Sequence, residues 1–405
     1  MSDRKLPRNR RAQGVHQRDR ALASSKARLD ARDAFQHSPP MLVTACSIGC
    51  RLNTLVVLAT LSIVLLLPAA AAGAEEATSS SGRLLRVQYD NDAFMSSDDV
   101  FTAGWGFEFH SAATDVWPDR FSRSVISRLP GMSDDGADGR VVRRAIGLSQ
   151  QIVTPKRLRV AELQPHDAPW AGRLGIYASW LSIDNRRLAA FQVYIGCMGP
   201  CSQAEEVQRF VHEDLDKGAD PLGWHNQLSG EELLNLNYTF RRKIRKAPES
   251  DYSAPAWAYD VSYGSQLALG NLATFIDAFV EWRVGWGLPR GFALMTDPVG
   301  MGVAIDPLLP SRGSLTSRWH VYMAATAMAT HLFYHDIAEG GRTENGLWHP
   351  ALNCDNPQLE LMLGLHVTRG RQSLHIIHHE YLGDRAELPR GSKPDWTGIT
   401  IDFRF

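Results

Sequence analysis

Apolar and polar positions alternate along most of this chain, in segments of about 9 to 12 residues parted by turn residues, a length suited to strands that cross a bilayer. After Ala74 no run reaches the roughly 18 uninterrupted apolar residues of a spanning helix. The pattern predicts strands at Arg83–Asn91, Thr102–His110, Arg144–Ile152, Arg173–Asp184, Arg187–Met198, Glu232–Lys243, Trp257–Leu269, Ile276–Gly287, Arg318–Thr330, Gln358–Thr368, Gln372–Leu382 and Thr397–Phe405. That is about twelve, an even count, as single-chain bacterial barrels require. The last segment alternates most clearly: Ile399, Ile401, Phe403 and Phe405 share one face, and Thr400, Asp402 and Arg404 the other. One face suits lipid and the other a polar lumen. The expected fold is all-β, a transmembrane antiparallel barrel of about twelve strands; a soluble β-sandwich is the competing architecture.

Trp105, Trp257, Trp282, Trp286, Trp319 and Trp396 fall at or near segment ends, where indoles rest at headgroup level, although an ordinary aromatic core would also use them. One short helix is expected near Ser202. There Ser202-Gln203-Ala204-Glu205 has the S-x-x-E spacing of a capping box, and Val207, Phe210 and Val211 would share an apolar face.

Ahead of the strands, Leu55 to Ala72 is an uncharged apolar run, preceded by Arg51 and ending in Ala72-Gly73-Ala74. It reads as a signal peptide over 41–74 with an A-x-A cleavage site, with a membrane anchor as the alternative. Residues 1–40 hold ten Lys/Arg and four Asp/Glu without apolar periodicity, a basic extension that is either disordered or not translated. The barrel is expected over 75–405.

With 43 Lys+Arg, 44 Asp+Glu and 44% hydrophobic residues among 405, the composition excludes a disordered chain. Five cysteines are too few for a disulfide scaffold. Cys197 and Cys201 flank the Gly199-Pro200 turn and either close a small loop or stay as thiols, with Cys354 left over.

Candidate chemistry sits at strand ends. Asn91, Asp92, Asp98, Asp99 and Thr102 crowd one turn with the hard oxygen donors that Ca²⁺ takes, or simply form a polar loop; the spacing is not that of an EF-hand. His212 follows the short helix among Glu213, Asp214, Asp216 and Asp220, and a neutral imidazole so placed can deprotonate water near pH 7, although a lone His is as a rule structural. No G-x-S-x-G elbow nominates a serine, which leaves water-mediated ester hydrolysis with metal stabilisation of the oxyanion as the coherent chemistry. His366, His375, His378 and His379 read as lumen or interface residues rather than a metal site.

Ordered motifs from Val87 to Phe405 resemble the outer-membrane lipid A 3-O-deacylases, calcium-dependent esterases on a twelve-stranded barrel. The matching pieces are Asn91-Asp92, Phe101-Thr102-Ala103-Gly104, Gln151-Ile152-Val153-Thr154-Pro155, Asp167-Ala168-Pro169-Trp170-Ala171-Gly172, Gly199-Pro200, Val207-Gln208 to His212, Gly223-Trp224 to Gln227-Leu228, and Leu269-Gly270-Asn271 leading to Arg283-Val284-Gly285. The resemblance implies a catalytic set of His212, Asn91 and Thr102, with Ca²⁺ held at Asn91 and Asp92 and the 3′-linked acyl ester of lipid A as substrate. It also implies Lys156 and Arg157 as partners for the lipid's phosphates. Some members carry a Glu where this chain has Gly218, so Asp216, Asp220 or Glu231 would supply that carboxylate, with Glu231 taken as the metal ligand. The expected setting is the bacterial outer membrane, with lipopolysaccharide as partner, no nucleic acid, and a monomer. A non-enzymatic barrel, either a porin or a lipopolysaccharide-binding structural protein, is the alternative.

Overall fold

Fourteen strands form in the computed structural model, which describes residues 82–91, 100–134, 139–214, 220–245, 257–296, 319–352, 356–382 and 395–405. The predicted extension and signal peptide lie outside the described residues. In chain order the strands are β1 (Leu84–Asn91), β2 (Val100–His110), β3 (Val141–Thr154), β4 (Ala171–Ile183), β5 (Arg187–Met198), β6 (Glu231–Arg245), β7 (Trp257–Gly270), β8 (Ala273–Trp286), β9 (Trp319–His335), β10 (Gly341–Arg342), β11 (Trp348–His349), β12 (Gln358–Arg369), β13 (Gln372–Leu382) and β14 (Trp396–Arg404). All but β10 and β11, which pair with each other, join in one closed antiparallel barrel of twelve strands. Closure comes where β1 meets β14, from Leu84 opposite Arg404 to Asn91 opposite Thr397. With no free edge, every strand's backbone groups find partners inside the wall, as a lipid setting demands. No described helix is long and apolar enough to cross a membrane; a barrel crosses with strands.

Each predicted strand is present, with ends moved by a few residues: β3 begins at Val141 and β9 runs to His335. The rim where β1 ends at Asn91 is called upper here, and the rim beside Phe405 lower. On β14, Thr400, Asp402 and Arg404 are buried inward while Ile399, Ile401 and Phe403 face out, as the alternation predicts. Outward isoleucines and leucines such as Ile146, Ile176, Ile195 and Leu363 are exposed, giving the wall its apolar band. Of the six tryptophans, Trp257, Trp282, Trp286 and Trp319 stand exposed on the outer face, and Trp105 is half-buried there. Trp396 departs from the expectation: it turns into the lumen and stacks on His379 at 3.7 Å, buried by that contact. His366 and His375 are also luminal and buried, whereas His378 points outward, half-buried.

Charge on the inner face is paired across strands. Arg86 grips Asp402 through two hydrogen bonds of 2.8 and 3.0 Å, Arg283 grips Asp260 at 2.9 and 2.6 Å, Lys243 joins Asp260 at 2.7 Å, and Arg241 pairs with Glu281. Such groups are tolerable out of water only when paired. The chain after β8 then folds back into the lumen. Leu288, Phe292, Ala293 and Leu294 are buried there; Arg241 donates to the Ala293 carbonyl (2.8 Å), Arg283 donates to that of Gly291 (2.8 Å), and Thr296 reaches His379 (3.1 Å). At the upper rim the β9–β12 connection crosses the mouth. Its Asp336 takes the Arg173 guanidinium of β4 at 2.9 Å, and its Ile337 packs with Leu228, Met198 and Ala168. Among the described residues the lumen is therefore occupied by paired side chains and returning chain.

Asp336→Ala would remove the carboxylate from the buried Arg173 and is expected to cost about 3–5 kcal/mol. Urea unfolding of the detergent-solubilised protein measures it, with Asp115→Ala, at an exposed position, as the near-silent control.

Candidate active site

β3 shows which side of the wall the site occupies. Gln151 of this strand hydrogen-bonds the luminal Arg173 at 2.7 Å, so Ile146, Leu148, Gln150 and Ile152 face outward. Ile146 is 59% exposed, as a lipid-facing residue should be, yet Gln150 and Ile152 near the upper rim are each only 3% exposed. A segment of the β5–β6 connection covers them from outside. Gln150 donates to the Ser202 carbonyl (2.6 Å) and accepts from the Trp105 indole of β2 (2.6 Å), so both ends of its amide are used. A glutamine here would otherwise be an unpaid polar group on the apolar side of the wall. On β4 the outward Gly172 has no room for a side chain: a Cβ would fall 2.2 Å from that of Ala204. Glycine lets the covering segment lie directly on the strand.

That segment opens with a disulfide, Cys197–Cys201, settling the open alternative for this pair. The expected capping box does not form. Because the disulfide loop continues as a 3-10 turn over Pro200–Ser202, the Ser202 amide donates to Gly199 (2.9 Å) and its hydroxyl to the same carbonyl (2.6 Å). Gln203, at φ 55°, starts the helix instead, without a side-chain cap, and Glu205 pairs with Arg209. The helix spans Ala204–Arg209 and packs Ala204 and Val207 against Ile152, Leu158, Trp170 and Trp224, while the Trp224 indole donates to Gln208 (2.7 Å). It is not the sole helix, since Arg120–Ser124 forms a second on the lower side. From Phe210 to Asp214 the chain widens into a π-helical turn, a form common at functional sites, and the half-buried His212 sits in it.

Asn91, the last residue of β1, faces outward with Tyr89, because Asp90 and Arg86 are inward and buried. It stands opposite Ala103, and Ala103 opposite Ile152. On the β2–β3 ladder the register shifts between Phe101 and Ala103, a bulge that leaves Thr102 without a register partner on β3. The structure thus brings the outward-facing Asn91, the backbone at Thr102 and the base of the helix to one stretch of the upper rim. Asp92, Asp98, Asp99, Asp216, Gly218, Cys354 and the Thr102 side chain lie outside the described residues. Asp220 is described and exposed.

Lys156 and Arg157 follow β3 on the same rim, exposed, on a loop held by the Lys156 amide donating to Asp167 (3.2 Å) and by Arg157 donating to Gln164 (3.1 Å). Glu231 is elsewhere. It begins β6, five strands around the wall from β1, exposed and accepting from Asn271 (3.1 Å). With strands about 4.8 Å apart, that is roughly 20 Å across the barrel from Asn91, beyond any shared coordination sphere. Among the described residues no three His, Cys, Asp or Glu gather as a metal site. Sequence reasoning missed Gln150, whose signal was a polar residue in the outward series of β3. It also missed Thr397, which faces outward opposite Asn91 and meets His378 at 3.2 Å.

An apolar outer wall, a filled lumen and a polar rim site on the outside define an outer-membrane β-barrel protein of the bacterial type. A family model described as outer membrane protein LpxR matches residues 55–405, and the chain belongs to that family, the one its motifs resembled. Among solved structures the chain is similar to LpxR from Salmonella typhimurium, with 14% identity, a TM-score of 0.60, and coverage of 80% of this chain and 100% of that one, which shows a shared fold. The β-domain of the Bordetella autotransporter BrkA is a far looser likeness, at 10% identity and a TM-score of 0.37 over 80% of this chain and 99% of that. No curated protein matches the chain in sequence.

Gln150→Leu would strip the Ser202 carbonyl and the Trp105 indole of their shared partner at a buried position. An expected loss of roughly 1–3 kcal/mol follows, with faster proteolysis inside 199–214 while the barrel stays folded. Limited proteolysis followed by mass spectrometry reads the difference.

Proposed function

We propose that the protein hydrolyses the 3′-linked acyl or acyloxyacyl ester of lipid A, with Ca²⁺ held at the upper rim and His212 activating water. The observation that carries this reading is the outward orientation of the rim site: Asn91 and the clamped helix base open toward the acyl chains of the surrounding leaflet. A lipid ester needs no path through the barrel to reach them. The oxygen donors fit a hard cation, since Asn91 offers an amide oxygen and Asp92 a carboxylate. Asn91 and Asp92 would hold the ion, which when bound supplies positive charge facing the developing oxyanion.

The chain's own residues account for the other steps. His212 takes the proton of water as its oxygen attacks the acyl carbonyl, and returns it to the sugar oxygen as the ester bond breaks. Thr102 completes the oxyanion site. Lys156 and Arg157, on their braced loop, pair with phosphate on the glucosamine headgroup and hold the ester over the rim. Asp216 or Asp220, from the same connection as His212, takes the part of the family carboxylate in preference to Glu231, which begins β6 five strands around the wall from Asn91. The filled lumen speaks against a porin. The protein acts as a monomer on lipopolysaccharide.

Mass spectrometry of lipid A from cells with and without expression tests the reading: loss of the 3′-linked acyl mass is expected, and an unchanged profile with Ca²⁺ present and the barrel folded would favour a non-enzymatic lipopolysaccharide-binding barrel. His212→Ala should lower turnover by roughly 10²- to 10⁴-fold in a folded barrel. Asp92→Ala should be partly rescued by more Ca²⁺, and Glu231→Gln should be silent.

A further inference from the structure

The connection from β2 to β3, on the lower side, does not hang free below the barrel. Residues 111–134 turn back and lie against the outside of β3 to β6. Trp117, Ile126 and Met132 pack on Val142 and Ala189, with Leu129, Trp180, Phe191 and Tyr238 around them. Val142, Trp180, Ala189, Phe191 and Tyr238 are all outward residues of the wall, since they alternate with the inward Arg143, Ser179, Leu188, Gln192 and Asn237. Polar ties fix the contact: the Trp180 indole donates to Ser122 (3.0 Å), the Tyr238 hydroxyl donates to the Pro130 carbonyl, and Gly131 passes so close that a Cβ would meet that of Ala189 at 3.0 Å. Asp119 caps the short helix Arg120–Ser124 through the Ser122 amide (2.8 Å) and binds Arg144 of β3 (2.9 Å).

The far side of this collar is apolar and basic together. Val116, Phe121 and Val125 are 55%, 53% and 47% exposed, and Arg120, Arg123 and Arg128 are exposed among them, against Asp115 as the one exposed acid of the segment among its described residues. Around the rest of the lower rim the wall carries its own interfacial residues. Trp257, Trp286, Trp319 and Tyr259 stand exposed on β7 to β9, with Arg245 over Tyr259 at 4.3 Å and Arg369 over Trp319 at 5.0 Å. On β4 to β6 the corresponding aromatics are the ones the collar covers. The collar thus replaces, one layer further out, the girdle that it hides.

The geometry points to residues 116–128 as a lipid-binding collar, immersed at the boundary between headgroups and acyl chains of the phospholipid leaflet at the lower rim, with its arginines on anionic phosphate headgroups. Continuity argues for this occupant: the collar is flush with the lipid-facing wall, whose exposed Ile146 and Ile176 lie just above it on β3 and β4. Mixed apolar and cationic character suits an anionic bilayer interface better than water. This assignment is independent of the reaction at the upper rim.

The test is spin labelling of the full barrel reconstituted in vesicles of phosphatidylethanolamine and phosphatidylglycerol. Nitroxides are placed through Val116→Cys, Phe121→Cys and Val125→Cys, one at a time, with Cys354→Ser and any retained Cys46 and Cys50 also replaced by Ser. Expected is a several-fold higher collision rate with oxygen than with a water-soluble nickel chelate at all three sites. Higher nickel than oxygen accessibility would show a water-exposed loop, and exclusion of both reagents would show a surface covered by a second copy or another protein; either result overturns the proposal. Replacing phosphatidylglycerol by phosphatidylcholine should move the labels outward toward water, and Arg120→Gln with Arg123→Gln and Arg128→Gln should abolish that dependence. Equal depth in both lipids with the arginines present would overturn the headgroup assignment.

Discussion

Closing a sheet into a barrel leaves an inner face whose polar side chains have neither lipid nor bulk water to satisfy them, and much of this structure follows from how that face is paired. Arg86 with Asp402, Arg283 and Lys243 with Asp260, Arg241 with Glu281, and Arg173 with Asp336 each join different strands or a strand and a crossing connection. An unmatched charge in such a space would cost several kcal/mol, so the pairs act together as the core of the protein. The segment after β8 supplies carbonyls to Arg241 and Arg283, and the β9–β12 connection crosses the mouth above.

On the outer surface the fold has to solve the opposite problem of keeping polar groups on a wall that faces lipid. It does so locally. The amide of Gln150 is held at both ends by Trp105 and Ser202, and the missing Cβ at Gly172 lets the covering segment seat. The disulfide and the 3-10 turn set where the helix begins, and the π-helical turn sets where His212 emerges. On the opposite rim the collar of residues 111–134 meets the same constraint by hiding polar contacts against the wall and showing apolar residues outward.

What the sequence made legible was the part governed by period two. The alternation over Ile399 to Phe405 is the alternation of the folded strand, and every predicted strand is in the wall. Long-range pairing was not legible: nothing local ties Arg86 to a carboxylate 316 residues away. Ser202-x-x-Glu205 had the right spacing for a cap, but the neighbouring disulfide turn had already claimed the serine. Trp396 sat at a strand end like the girdle residues, and one step of register put it inside against His379. Glu231 was near His212 in the chain, yet it begins β6, five strands around the wall from Asn91.

The central claim is that the site looks outward into the lipid and not into the barrel. Photocrosslinking tests it most directly, with p-benzoylphenylalanine placed at Tyr89, which shares the outer face with Asn91, or at Gln88, the luminal neighbour that donates to Asp90 at 2.8 Å. Irradiated in intact outer membranes, the probe at Tyr89 should yield an adduct with the mass of a lipid A species, and the probe at Gln88 should yield none. A lipid adduct at Gln88 with none at Tyr89 would contradict the account.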